Sequence, residues 1–151
     1  MILEVENIHC YYDLSHVVHG LNLQLDVGEI VSLLGRNGAG KTTTIQAIVG
    51  VVRPRSGDIR LAERSLTGRP PHEIYRRGVG WVPQGRRLFP NLTVAENIRL
   101  ATLKAPKESR LNGLERAYDL FPILRERRET RAGSLSGGEQ QMLAIDRKSV
   151  V

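Results

Sequence analysis

The sequence predicts an α/β protein, with strands dominating through Pro83 and helices beyond it. Three observations carry this expectation. Residues 20–26 alternate, Leu21, Leu23 and Leu25 apolar and Asn22, Gln24 and Asp26 polar, which is the period of a half-buried antiparallel strand. Ile30-Val31-Ser32-Leu33-Leu34 is a short apolar run of the kind covered on both faces, and a glycine-rich stretch, Gly35 to Gly40, follows it directly. Later in the chain, Leu111, Leu114, Tyr118 and Phe121 recur at three- and four-residue spacing, the helical period.

Taken in order, residues 2–8 read as a strand, 20–26 as a second, and Val27-Gly28-Glu29 as a turn into the third at 30–34. A helix is expected from Lys41 to Val49, then a turn at Arg53–Gly57 and a strand at 58–62. Pro70-Pro71 opens a short helix to about Arg77, because proline's missing N–H costs little in a first helical turn. Val79-Gly80-Trp81-Val82-Pro83 reads as another strand, ended by its proline. Thr93-Val94-Ala95-Glu96 and Ser136-Gly137-Gly138-Glu139 both have the spacing of a capping box; the second opens a helix through Ile145.

Composition narrows the class. The 151 residues are 40% apolar and 25% charged, globular proportions that exclude a disordered or fibrous chain and allow one sizeable core. No apolar run approaches the roughly 18 residues of a membrane helix. The acidic, alternating start is unlike a signal peptide, and the single Cys10 rules out an internal disulfide, so a soluble intracellular protein is expected. The net charge of +6 is uneven: residues 53–131 carry 18 basic and 9 acidic side chains, whereas residues 1–52 carry 2 and 5. Acidic residues are interspersed through the basic segment, as on a solvated face, and aromatics at 5% are too few for a base-stacking surface. No nucleic-acid partner is expected.

Two segments carry chemistry. Gly35-Arg36-Asn37-Gly38-Ala39-Gly40-Lys41-Thr42 has the P-loop spacing. Glycines there let successive amides curl toward one anion, Lys41 neutralises the outer phosphates, and the Thr42 hydroxyl can ligate Mg²⁺. The following helix adds the positive end of its dipole, so the chain is expected to bind a nucleoside triphosphate. About a hundred residues on, Leu135-Ser136-Gly137-Gly138-Glu139-Gln140 opens a helix with a serine and two close-approach glycines. By itself that is a well-capped helix start; beside a P-loop it reads as a second anion site, for the triphosphate held by a partner chain.

With both segments in view, the chain resembles the N-terminal two-thirds of an ABC-transporter ATP-binding subunit, a P-loop NTPase with an antiparallel β subdomain and a helical subdomain. Leu135–Gln140 matches the signature motif of that family letter for letter. The resemblance implies nucleotide contacts at Gly35, Asn37, Gly38, Ala39, Gly40, Lys41, Thr42 and Thr43, and at Ser136, Gly137, Gly138 and Gln140 from across a dimer. It places Tyr12 where an aromatic stacks on adenine, with Tyr11 beside it as the rival and a plain strand tyrosine as the ordinary reading. It places Gln84 at the Q-loop, where with Thr42 it would meet Mg²⁺; Lys41 and Gln84 are the catalytic residues so implied. The organisation implied is a partial ATP-binding domain over 1–145, divided into a nucleotide-binding part (1–84) and a helical part (85–145).

Within that family the chain is most similar to the branched-chain amino acid importer ATPases, through Gly80–Val94, Leu120-Phe121-Pro122 and Gln140–Ile145; urea and amide importer ATPases look alike over the same segments. The partners implied are a second ATPase subunit, membrane permease subunits and, indirectly, a periplasmic solute-binding protein. The location implied is the inner face of the plasma membrane. A soluble ABC ATPase acting on nucleic acid is the rival; the 50 residues between Gln84 and Leu135 hold no sustained heptad, which speaks against it. Asp13 stands where the family favours glycine. After Ile145 the sequence reads Asp146-Arg147-Lys148-Ser149-Val150-Val151 and departs from the family pattern, so a non-native tail over 146–151 is expected. The Walker B aspartate and the general-base glutamate have no counterpart in these residues, so weak or absent turnover is expected of this polypeptide.

Overall fold

A computed structural model describes residues 1–83, 85, 88–102 and 107–149. The chain divides into two compact units, Met1–Val79 and Gly80–Val151. The first is a four-stranded antiparallel sheet with two helices. Its strands β1 (Leu3–Tyr12), β2 (Ser15–Leu25), β3 (Ser56–Leu61) and β4 (Arg64–Ser65) lie in the order β2-β1-β3-β4. Helix α1 (Lys41–Ile48) packs on β1 and β2, and α2 (Pro71–Arg76) follows β4. The sheet's inner face buries Val5, Ile8, Cys10, Val18 and Ile59 against Ala47 and Ile48 of α1 and Ile74 of α2. That burial also pushes the Cys10 thiol pKa above its ordinary value.

The β1–β2 hairpin turns through Asp13, whose φ of 51° is left-handed. A short polar side chain tolerates that conformation, which explains how an aspartate serves at a position suited to glycine. On the outer face, Arg60 reaches Glu4, Glu6 and Asp58, the last at 2.8 Å. Asp58 also accepts from the Thr67 and Ser65 hydroxyls; burial raises its pKa, but these three donors outweigh it and hold the carboxyl below its usual range.

Two sequence expectations need correction. Residues 30–34 and 79–83 belong to no ladder. A strand exists by virtue of its neighbours, and among the described residues none pairs with either segment. Both run as irregular backbone, with Ile30 93% and Leu34 91% exposed. The apolar run predicts burial on both faces; among the described residues nothing covers it.

The second unit is helical: α3 (Val94–Thr102), α4 (Lys107–Leu120), α5 (Pro122–Glu126), a 3₁₀ turn (Ala132–Ser134) and α6 (Gly137–Ser149). Val94, Ile98, Ala117, Tyr118, Leu124, Leu135 and Leu143 form its core. Phe121 caps α5 instead of ending α4, because Pro122 cannot continue the preceding helix and starts a new one. Both capping boxes form: Thr93 and Glu96 exchange bonds of 2.8 and 3.2 Å, and Ser136 and Glu139 of 2.7 and 3.3 Å.

Asn97 is fully buried and fully satisfied. Its Oδ1 accepts from the Phe89 amide at 3.0 Å, and its Nδ2 donates to the carbonyls of Phe89, Leu92 and Thr93. One side chain thereby pins the 89–93 loop to α3. Asn97→Leu removes these side-chain bonds and leaves the Phe89, Leu92 and Thr93 carbonyls only their backbone donors, the Leu92, Ala132 and Asn97 amides, and is expected to destabilise the helical unit by about 1–3 kcal/mol in denaturant unfolding.

Candidate functional site

The glycine-rich loop lies wholly in the first unit. Gly38 and Gly40 have φ of 84° and 85°, and Gly35 has φ of 154°, backbone that L side chains rarely adopt. At Gly40 the requirement is double, since a Cβ there would meet the Val17 carbonyl oxygen at 3.0 Å and Val18 Cγ2 at 3.2 Å. The loop thus reverses through left-handed glycines and enters α1 through Gly40 as its N-cap, the kind of backbone from which an anion nest is made.

No side chain caps α1. Its first-turn amides therefore stand available to an anion, helped by the helix dipole. Thr42 is exposed at the helix start, so its hydroxyl is open to a cation, whereas Thr43 is buried and would reach an anion only through its backbone amide. Thr44 turns back, its hydroxyl donating to the Gly40 carbonyl at 3.0 Å. Lys41 folds over the loop, and its Nζ donates to the carbonyls of Gly35 (2.7 Å) and Arg36 (2.8 Å). The ammonium is held over the mouth of the nest, where an incoming phosphate would exchange charge-assisted bonds for those to the carbonyls. Asn37 and Ala39 are exposed on the loop itself. The donor set suits a Mg²⁺-bound triphosphate: backbone amides and one lysine for the phosphates, and a hydroxyl for a hard cation.

The structure separates the two tyrosines. Tyr11 is stacked on His16 at 4.1 Å, nearly parallel, with the Arg55 guanidinium 4.0 Å over its ring. Tyr12 is 48% exposed, and its hydroxyl donates to Gln46 Oε1 of α1 at 2.9 Å, so its ring is held on the same hairpin-and-helix scaffold as the loop. Of the pair, Tyr12 has the ring left open for a base. Gln84 lies outside the described residues.

The second candidate segment opens α6. The Ser136 amide and hydroxyl are engaged in the box with Glu139, whose carboxyl is held below its usual range by the Ser136 side chain and amide. Gln140 Nε2 donates to the Ala132 and Leu135 carbonyls, bracing the loop before the helix. Gly137 and Gly138 are exposed. Gly138 is informative because nothing in its own unit asks for glycine: its φ is not left-handed, and a Cβ added there would meet nothing within 4 Å.

A cluster that the sequence reading missed sits on the outer face of the β1–β2 hairpin, where His9, His16 and His19 come together. The three are scattered in sequence, and only the strand register with its bulges assembles them.

A left-handed glycine loop that feeds an uncapped helix beginning with lysine defines a P-loop nucleotide-binding protein. Residues 18–151 match the ABC transporter family, and the chain belongs to that family, whose members include the ATP-hydrolysing subunits of transporters. It is 40% identical over 97% of its length to the high-affinity branched-chain amino acid transport ATP-binding protein BraG of Pseudomonas aeruginosa, covering 63% of that protein. It is 39% identical, again over 97% of its length, to the lipopolysaccharide export ATP-binding protein LptB of Acidithiobacillus ferridurans, covering 61%. Its fold superposes on cbiO1 of Clostridium perfringens, part of the ABC transporter complex cbiONQ, with a TM-score of 0.86 at 25% identity, over 99% of this chain and 61% of that one. The chain therefore spans less than two-thirds of the length of these relatives. No helix among the described residues is long and apolar enough to cross a membrane.

Proposed function

We propose that this chain supplies the nucleotide-binding part and the helical part, through the α6 start, of an ABC importer's ATPase subunit, and that the importer carries branched-chain amino acids. The observation that carries the nucleotide reading is the uncapped start of α1, fed by left-handed Gly38 and Gly40 and overhung by Lys41. In this reading the amides from Gly38 to Thr43 surround the phosphates and Lys41 neutralises their outer charge. Thr42, with Gln84, holds Mg²⁺, which supplies charge neutralisation of the phosphates when bound. Tyr12 stacks on the adenine, its ring steadied through Gln46. Ser136, Gly137, Gly138 and Gln140 form or brace the face that closes on the nucleotide of a second ATPase subunit. Positioning and charge stabilisation, more than covalent chemistry, are what such a site contributes to in-line attack of water. The assembly would also include permease subunits in the membrane and a solute-binding protein outside it.

The solute reading rests on the similarity to BraG and on the matching stretches around Gly80–Val94; the comparable similarity to LptB is the reason to test it directly. Disrupting the gene should lower uptake of radiolabelled leucine, isoleucine and valine at least tenfold, with urea uptake unchanged. Normal branched-chain uptake would overturn the solute assignment, and failure of the polypeptide to bind Mg-ATP would overturn the site.

A further inference from the structure

On the hairpin's outer face, His9 Nδ1 and His16 Nε2 face each other at 3.1 Å. The far side of His9 is tied down, since its Nε2 donates to Asn7 Oδ1 at 3.3 Å. That bond fixes the tautomer and leaves Nδ1 as a bare lone pair directed at His16. Two ring nitrogens so placed are bridged either by a proton on His16 Nε2 or by a metal ion. A tetrahedral ion with nitrogens at about 2.0–2.1 Å sets them roughly 3.3 Å apart, within a few tenths of the spacing already present.

The arrangement is built into the strands. Asn7 sits at a bulge between Val5 and Ile8 with a left-handed φ of 46°, and its amide donates to Asn22 Oδ1 at 2.9 Å. Gly20 opposite is required for it, because a Cβ there would meet Asn7 Oδ1 at 2.7 Å and His9 Nε2 at 3.3 Å. The backbone thus accepts an unfavourable conformation and a glycine so that Asn7 can orient His9, as carbonyls and carboxylates do behind metal-binding histidines. The other groups around the pair are His19, whose ring lies 3.7 Å from that of His16, and Tyr11, which stands between His16 and the Arg55 guanidinium. Partial burial, with His19, His9 and Arg55 adding to it, keeps the His16 pKa below the usual imidazole range, so the ring is neutral near pH 7.

We infer that His9 Nδ1 and His16 Nε2 form a two-nitrogen site for a borderline divalent transition metal of the Zn²⁺ class, with His9 oriented by Asn7 and solvent completing the coordination. Among the described residues, no three His, Cys, Asp or Glu side chains are arranged around one metal position, so the protein supplies two ligands. The ion would clip β1 to β2 four residues or fewer from the turn at Asp13.

The test is titration of the 151-residue chain with Zn²⁺ at about pH 7.5, above the ordinary histidine range. One-to-one saturable binding is expected, weakened at least tenfold by His9→Asn and by His16→Asn, and less than tenfold by the remote His72→Asn. Absence of saturable binding, or a loss under tenfold in either hairpin variant, overturns the site. Should a variant fail to fold, ¹⁵N shifts of the unmutated chain decide: Zn²⁺ should move His9 Nδ1 and His16 Nε2 as coordinated nitrogens, and coordination through any other ring nitrogen refutes the assignment.

Discussion

Lys41→Ala is expected to lower Mg-ATP affinity by at least about a hundredfold, the largest single effect available in the first unit. A hydrogen bond to a charged group contributes about 1.5–3 kcal/mol, and each 1.4 kcal/mol is a factor of ten, so two such contacts to phosphate oxygens reach that magnitude. In the free loop Lys41 Nζ instead holds the carbonyls of Gly35 and Arg36, bonds that a phosphate would replace. Lys41→Arg should rescue little, because a planar fork cannot replace a compact ammonium above so tight a turn. Equilibrium binding of Mg-ATP to the 151-residue chain measures the effect, with circular dichroism as the control for folding. A loss under tenfold would mean that the amides of the nest, and not the lysine, carry the phosphates.

The legible parts of the fold were those whose cause is local. Each capping box needs only residues three apart, and both form with the pairing expected. The glycine loop is legible for the same reason, because left-handed backbone at Gly38 and Gly40 is a property of the residues themselves. What escaped depends on distant partners. Residues 30–34 and 79–83 have strand-like composition but no ladder, since pairing belongs to two segments at once. Strand β4 is only two residues long, too short for any period to register. The histidine cluster is invisible in the sequence because bulges between Val5 and Ile8 and between Ile8 and His9 set His9 opposite His19, and a further shift between Cys10 and Tyr11 sets His16 opposite Tyr11. At the site, Tyr11 and Tyr12 are equivalent on paper; their difference arises from His16 and Arg55, which occupy the first ring and leave the second open.

Gly138→Leu is expected to separate folding from function more sharply than any other substitution in the second unit. Beyond its chain neighbours and the nearby backbone of its own helix, the added Cβ meets nothing within 4 Å. Leucine also favours helix over glycine by somewhat less than the ~0.8–1 kcal/mol that separates alanine from glycine in a helix interior, and by a fraction of that in a first turn. The variant should therefore melt at the same temperature or slightly higher. If this glycine exists for the close approach of a second subunit's nucleotide, the same change places four carbons where a phosphate must come within hydrogen-bonding distance of the α6 amides. ATP-dependent association of two copies, followed by sedimentation velocity, should weaken at least about a hundredfold, since a clash at a phosphate contact loses the charge-assisted bonds there as well as the space. ATP binding by the isolated chain should be unchanged, because Lys41 and the loop from Gly35 to Gly40 lie in the other unit. A variant that associates normally would leave the Leu135–Gln140 segment as a well-capped helix start and nothing more. One that loses stability instead would show that α6 packs differently at its first turn.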